Sequence, residues 1–318
     1  MGEESGMVAV RAFVAGDELG LVDAWNRSMP GDPTTAGWVR ECVLLDPNFD
    51  PEGLRVAVVD GRVVGCAYGV RRLVPPGPGT DLEPETGWIP FFFVVPERRG
   101  RGLGRRLLGE ALDFLRERGR ARVDFASYTP HYVLPGVDVE LYPGGFGLLR
   151  GLGFEIRSSP VAMGRTLVGQ VTPGEVLRLR AARESEGYVF RPPTDGELPE
   201  LIGFAARAFN PDWGEAIRRH ADPQRMVIAK KDHIVGFAVF GAYRGVGDRF
   251  GPFGVDAKER GTGLGKILLH LTMARMRAEG LRTAWFLWGD EASPAGHLYR
   301  QAGYEVTRRF HVMTRGTG

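Results

Sequence analysis

The sequence predicts an α/β (α+β) fold built twice along one chain of 318 residues. Three recurring features predict it. The stretch Val94-Val95-Pro96-Glu97-Arg98-Arg99-Gly100-Arg101-Gly102-Leu103-Gly104 returns as Val255-Asp256-Ala257-Lys258-Glu259-Arg260-Gly261-Thr262-Gly263-Leu264-Gly265. Each copy lies between an apolar run of strand character and an amphipathic run of helix character. Upstream, Val58-Val59-Asp60-Gly61-Arg62-Val63-Val64-Gly65 is answered by Val227 to Gly236, and downstream Leu152-Gly153-Phe154-Glu155 is answered by Ala302-Gly303-Tyr304-Glu305. Order is kept across all three, the mark of an internal repeat.

The elements follow in chain order. Asp60-Gly61 between two valine-rich runs reads as the tight turn of a hairpin. The first half is longer than the second on both sides of its glycine turn. The extra residues fall in the Pro/Gly-rich stretch 74–84 and in 130–145, both expected as surface loops. After Gly104, the residues Leu107, Leu108, Leu112 and Leu115 recur at helical spacing and form a core-facing stripe. Thr172-Pro173-Gly174-Glu175 has the pattern of a capping box with Pro at the first helical position, so a short helix is expected to begin there and stop near Gly187. Thr194-Asp195-Gly196-Glu197 repeats the capping pattern. Strands are expected near 188–191, 225–230, 234–243, 249–255, 283–287 and 310–314, ending in a closing hairpin. The helix after Gly265 carries Ile267, Leu268, Leu271 and Met276 on one stripe. The domains are therefore placed at 6–168 and 188–318, with a linker helix in 169–187.

Composition narrows the function classes. The chain is 43% hydrophobic and 25% charged with net charge +2, so nothing in the whole-chain balance argues for nucleic acid or an anionic membrane. Cys42 and Cys66 make no disulfide framework, and a reduced cytoplasmic setting is expected. No apolar run approaches the roughly 20 residues of a membrane span, and no signal peptide is expected from the acidic opening Met1-Gly2-Glu3-Glu4. No His-Glu-x-x-His or Cys-x-x-Cys is present, and the six histidines show no ligand spacing, so no metal is expected.

A glycine turn between strand and helix is a place to hold a phosphate. A P-loop is excluded: Gly265-Lys266 is followed by Ile267, and Arg260 stands where its first glycine is required. A dinucleotide fingerprint has the spacing G-x-G-x-x-G after a first strand, whereas here the spacing is G-x-G-x-G and several strands precede it. The pattern that fits is Arg-x-x-Gly-x-Gly, met by Arg99, Gly102 and Gly104 and by Arg260, Gly263 and Gly265. In this setting it resembles the GNAT superfamily of acyl-CoA-dependent N-acyltransferases, over nearly the whole chain, and the paired arrangement resembles tandem members of that superfamily.

The resemblance implies two mixed central sheets flanked by helices, and acetyl-CoA as co-substrate, one in each domain. The pyrophosphate contacts it implies are Val94, Arg99, Gly100, Arg101, Gly102, Leu103, Gly104 and Arg105 in the first half. In the second they are Val255, Arg260, Gly261, Thr262, Gly263, Leu264, Gly265 and Lys266. A backbone N–H near Val94 or Val255 is implied as the oxyanion donor. The pattern Ala295, Leu298, Tyr299, Gly303, Tyr304 implies Tyr299 as the acid that protonates the leaving thiolate. A phenol with a pKa of about 10 is protonated at neutral pH and suits that role. Leu149 occupies the matching position in the first half and cannot donate, although Tyr128, Tyr132 or Tyr142 are open as substitutes. The expectation is therefore a degenerate or altered first half and chemistry in the second, with Asp248 the favoured base and Glu215, Asp290, Glu291 or a water chain as the open alternatives. The acceptor is expected to be a primary amine of a small molecule or peptide. A non-catalytic CoA-binding module and transfer of a longer acyl group are the alternatives.

Overall fold

The protein is described by a computed structural model covering residues 7–77 and 79–317. The expected domain start at residue 6, the Met1–Glu4 stretch and Pro78 within the expected loop lie outside the described residues. The chain forms two compact units, Met1–Ser159 with Phe310–Gly318, and Pro160–Arg309.

Unit 1 begins with β1 (Ala9–Ala12), α1 (Glu18–Ser28) and α2 (Ala36–Val39), followed by the hairpin β2 (Leu54–Val59) and β3 (Arg62–Tyr68). Asp60 and Gly61, both at positive φ, close it with Val59 opposite Arg62. Then come β4 (Thr86–Ile89), β5 (Phe92–Val94), α3 (Leu103–Glu117), β6 (Arg122–Phe125), α4 (Pro143–Gly151) and β7 (Glu155–Ser158). One sheet runs β1-β2-β3-β5. Strand β3 is buried from Val63 to Tyr68 because α1 and α3 both pack against it. The stripe on α3 does what its spacing requires, with Leu107, Leu108 and Leu115 fully buried. From α1, Trp25 packs on Phe91 at a ring distance of 4.7 Å.

Unit 2 holds β8 (Val161–Thr166), α5 (Gly174–Ser185), β9 (Val189–Arg191), α6 (Leu198–Ala208), α7 (Pro211–Arg219), β10 (Met226–Lys230), β11 (Ile234–Phe240), β12 (Phe250–Val255), α8 (Leu264–Ala278), β13 (Thr283–Gly289), α9 (Pro294–Gln301) and β14 (Glu305–Arg309). Its sheet β12-β11-β10-β9 divides two cores by the two-residue period of a strand. Val227 and Ala229 of β10 face the core built on α8, whereas Met226 and Ile228 face the one under α6 and α7.

The closing hairpin expected from the sequence does not form. β14 pairs with β8, whereas the last strand, β15 (Val312–Gly316), pairs with β6 and β7 of unit 1. Strand β8 likewise lies between β13 and β14 of unit 2. Each unit is thus completed by a strand from the other half of the sequence. The boundaries fall at 159/160 and 309/310, where the sequence placed 168 and 188. Alternation within a strand reports which residues face a core; it does not name the neighbour that supplies the ladder. The helix expected after Thr172 forms as α5, without a capping box. Its N-cap is Pro173, no side chain caps it, and Glu175 is engaged elsewhere.

Candidate active site

The site of unit 1 starts at a break in a strand. β4 pairs in parallel with β6, Ile89 opposite Phe125. Pro90 follows and cannot donate to a ladder. Beyond it β5 pairs only with β3, Val94 opposite Gly65. The two ladders separate at this point, and β5 presents an open edge. Val95 N–H donates to Val64 O at 2.9 Å, so strand alternation turns the N–H of Val94 away from β3 and toward the opening. A cavity of about 660 Å³ occupies the opening. Phe92, Phe93, Phe125, Val133, Leu134 and Leu148 are among the residues that line it, so its walls are mainly apolar.

The glycine turn forms one end of the cavity. Gly100 and Gly102 sit at φ +73° and +78°, a region that side chains with a Cβ resist, and a Cβ on either meets nothing within 4 Å. Gly102 is the N-cap of α3 and no side chain caps the helix. The N–H groups of Leu103, Gly104 and Arg105 precede the first intrahelical bond, Arg106 N to Gly102 O at 3.0 Å, and so remain available with the positive helix end behind them. Arg99 also lines the cavity, and its guanidinium is held by backbone carbonyls. Its Nε donates to Val94 O at 2.9 Å and its Nη2 to Ser28 O at 2.8 Å. The guanidinium ties the end of β5 to the end of α1 and fixes the turn from inside.

The turn in unit 2 has the same backbone and a different environment. Gly261 and Gly263 sit at φ +82° and +85°. Asp256 N–H donates to Val235 O at 2.8 Å, so the N–H of Val255 also faces away from its paired neighbour β11. Here, however, helix α5 lies on the turn. Leu179 Cδ2 comes within 2.7 Å of where a Cβ on Gly263 would stand, and Glu175 Oε1 is 2.6 Å from Lys266 Nζ. The Lys266 ammonium holds the Glu175 carboxyl below its ordinary range. Val176 anchors the helix, fully buried in the core of unit 2. Thr262 Oγ1 donates to Glu259 O at 2.6 Å, and Arg260 is exposed.

Tyr299 stands between β12 and β13. Its ring meets Phe286 at 4.5 Å, Tyr304 at 5.5 Å and Phe253 at 5.9 Å. Burial pushes its phenol above the ordinary value. Its hydroxyl has no hydrogen-bond partner among the described residues. Asp248 accepts from Thr283 Oγ1 at 2.7 Å, and its carbonyl accepts from Trp285 N at 3.1 Å, holding the point where β12 and β13 begin to separate. Leu149, the counterpart of Tyr299, is fully buried in the core of unit 1.

The tyrosines of unit 1 separate clearly. Tyr68 is buried beside Phe91. Tyr128 is 1% exposed, donates to Asp46 Oδ2 at 2.7 Å and accepts from Asn48 Nδ2 at 2.8 Å. Tyr132 is not among the cavity-lining residues, whereas Tyr142 is. The Tyr142 hydroxyl donates to Asp32 Oδ2 at 2.5 Å. Asp32 was not singled out from the sequence; it lies in the connection after α1, far from any motif. Among the described residues no three of His, Cys, Asp and Glu are grouped to hold a metal ion, and no helix is long and apolar enough to cross a membrane.

Comparison with known proteins adds the following. Residues 21–131 match the acetyltransferase (GNAT) family, and residues 222–306 match an acetyltransferase (GNAT) domain. A mycothiol acetyltransferase of Thermobispora bispora is 30% identical over 240 residues, which are 70% of this chain and 74% of that protein. Among solved structures, a GCN5-related N-acetyltransferase from Sphaerobacter thermophilus aligns with TM-score 0.72 at 19% identity, covering 98% of this chain and 96% of that one. A GCN5-related glucosamine N-acetyltransferase region of a fungal multi-domain β-N-acetylglucosaminidase aligns with TM-score 0.79 at 18% identity, covering 98% of this chain and 38% of that one.

Proposed function

The chain belongs to the GNAT acetyltransferase family, and from that premise we propose that unit 1 holds the acyl donor and carries out the transfer. Membership makes the protein an acyl-CoA-dependent N-acetyltransferase. The observation that carries the choice of unit is the contrast between the two turns: Gly100 and Gly102 open onto a cavity, whereas Leu179 and Glu175 lie on the second.

The residues of unit 1 suit coenzyme A. The space beside Gly100 and Gly102 lets phosphates approach the backbone, and the first-turn N–H groups of α3 with Arg105 favour the anion. When bound, the coenzyme supplies the acyl group as an activated thioester. Arg99 orients the strand end that the acyl group meets. Val94 N–H, aimed into the cavity, donates to the oxygen on which negative charge develops. The apolar walls exclude water and strengthen that hydrogen bond. The acceptor is a primary amine, and a mycothiol-related amine is the first to test, given the name of the relative from Thermobispora bispora.

A second reading keeps the chemistry in unit 2, with Tyr299 as acid and Asp248 as base. The partnerless Tyr299 hydroxyl favours it, and it requires α5 to leave the turn. A matched pair of substitutions separates the two. Gly100→Val and Gly261→Val both force a β-branched residue into a left-handed position with open space around it. Loss of CoA affinity by tenfold or more in Gly100→Val alone supports unit 1. The same loss in Gly261→Val alone moves the site to unit 2.

A further inference from the structure

One wall of the unit 1 cavity comes from the longer loop of the first half. β15 runs antiparallel to β6 with Met313 opposite Phe125. By that register His311 would face Ser127. It does not, because Ala126 and Ser127 sit at φ +59° and +42° and turn the chain out of the ladder. Val137 takes the place instead. Its N–H donates to His311 O at 2.9 Å, and His311 N–H donates to Val137 O at 2.8 Å. The approach is backbone to backbone: a Cβ on Gly136 would run into His311 O, so that position requires glycine. Residues 133–137 thus continue the sheet where β6 leaves it, and they bring Val133, Leu134 and Val137 onto the cavity. Leu134 and Val137 are buried, so the wall is packed in place.

The chemistry of the cavity is divided along its length. Among the described residues the charged side chains that line it are Arg99 and Arg105, both at the glycine turn, and no carboxylate lines it. Away from the turn, β5 leads back through Phe91 to Pro90, one residue past the pairing of Ile89 with Phe125. Phe91, Phe125, Leu134 and Val137 line that region. Such walls favour the burial of hydrocarbon and penalise the burial of a hydroxyl or an ammonium group. An acetyl group offers them a single methyl. The matching part of unit 2 is filled by the protein itself, since the Tyr299 ring stands between β12 and β13 against Phe253 and Phe286.

We infer that Leu134 and Val137 are specificity-determining residues for the acyl group, and that unit 1 takes straight acyl chains longer than acetyl, with acetyl as the shortest donor. The inference rests on unit 1 holding the acyl donor. The bonds exchanged are the same for every chain length. The carbonyl carbon leaves sulfur for the amine nitrogen, and CoA departs as the thiol with the proton that the nitrogen loses. What changes is the hydrocarbon behind the carbonyl, which Phe91, Phe125, Leu134 and Val137 enclose.

Calorimetric titration of the full chain with acetyl-, butyryl- and hexanoyl-CoA tests this without knowledge of the acceptor. Each buried methylene contributes about fourfold in affinity, so butyryl-CoA is expected to bind roughly tenfold more tightly than acetyl-CoA. In Leu134→Trp and in Val137→Phe, hexanoyl-CoA is expected to bind no more tightly than acetyl-CoA does to the same variant. With any amine that releases free thiol, an equimolar mixture of acetyl- and butyryl-CoA should yield more butyryl than acetyl amide. Affinity that is flat or falls from acetyl to hexanoyl overturns the inference, as does acetyl amide alone from the mixture. A gain with chain length that survives in both variants overturns it as well. If donor affinity is flat but n-alkylamines bind the acetyl-CoA complex more tightly as they lengthen, the hydrocarbon belongs to the acceptor and the acyl assignment fails. Gly100→Val tests the reading beneath. If that variant binds every donor as the natural protein does, unit 1 is not the site. If it loses them all while the natural protein gives a flat series, the acyl assignment alone fails.

Discussion

Leu179 lies over Gly263, its Cδ2 2.7 Å from where a Cβ would project, and among the described residues none takes that position over Gly102. Two turns of one backbone shape therefore face different surroundings. Backbone conformation alone makes both turns fit to bind phosphate. A side chain from a helix upstream in the sequence distinguishes them.

Removing that cover is the first test. Glu175→Ala with Leu179→Ala frees Lys266 and the space at Gly263, while Val176 keeps α5 anchored. The ion pair is exposed and screened by solvent, so the fold is expected to persist. Native mass spectrometry should show one CoA per chain before the change and a second, weaker equivalent after it. Two equivalents in the unaltered protein contradict the reading.

Arg99 is the second. Its guanidinium spans Val94 O and Ser28 O, and a lysine ammonium cannot reproduce that fork. Arg99→Lys and Arg99→Ala are both expected to lower kcat/KM, with thermal stability reduced by roughly 1–3 kcal/mol. Full activity in Arg99→Lys would show that charge near the phosphates, rather than the tie between strand and helix, is what this residue supplies.

The third follows from the exchanged strands. Met313 is fully buried and pairs with Phe125. A fragment ending at residue 168 or 187 lacks β15, leaving β6 and β7 without the strand between them. Such a fragment should show no cooperative unfolding transition by circular dichroism. Met313→Asp in the full chain should destabilise unit 1 by roughly 2–5 kcal/mol, through lost packing and a buried carboxylate. Cooperative folding of the fragment at native stability contradicts this.

His270 sets an acid limit on unit 2. Burial first, and then Arg165 and Lys266, push its pKa down from 6.5 to about 4. Its Nδ1 is buried without a partner among the described residues. The folded imidazole therefore stays neutral while the unfolded one takes a proton near pH 6.5. Between these values the unfolded state binds more protons, so this contribution is intact above pH 6.5 and is lost as pH falls toward 4. Denaturant midpoints of the natural protein and of His270→Phe should diverge over that window, by an amount on the order of 1–2 kcal/mol at pH 5. Parallel curves would remove His270 as the cause.

Much of the architecture is legible locally. The Asp60-Gly61 hairpin, the leucine stripe on α3 and the strands around 226–230 and 250–255 follow from turn chemistry and periodicity, which act over a few residues. The glycine turns are legible for the same reason, since positive φ at Gly100, Gly102, Gly261 and Gly263 requires glycine at those positions. The destinations of β8 and β15 were not legible, because both halves present strands of the same pattern. Thr172 to Glu175 has the residues of a capping box, but Glu175 meets Lys266 instead. That choice depends on a partner distant in sequence.

By itself the sequence determined a duplicated α/β chain, two phosphate-shaped turns and a family of acyl-CoA-dependent transferases. Local backbone chemistry and repeat spacing carry that information. Only the tertiary structure decided which turn stays open, which strand completes which sheet and which tyrosine reaches a cavity. Each of these depends on residues far apart in the chain meeting in space: Leu179 on Gly263, Met313 beside Phe125, and Asp32 at the hydroxyl of Tyr142.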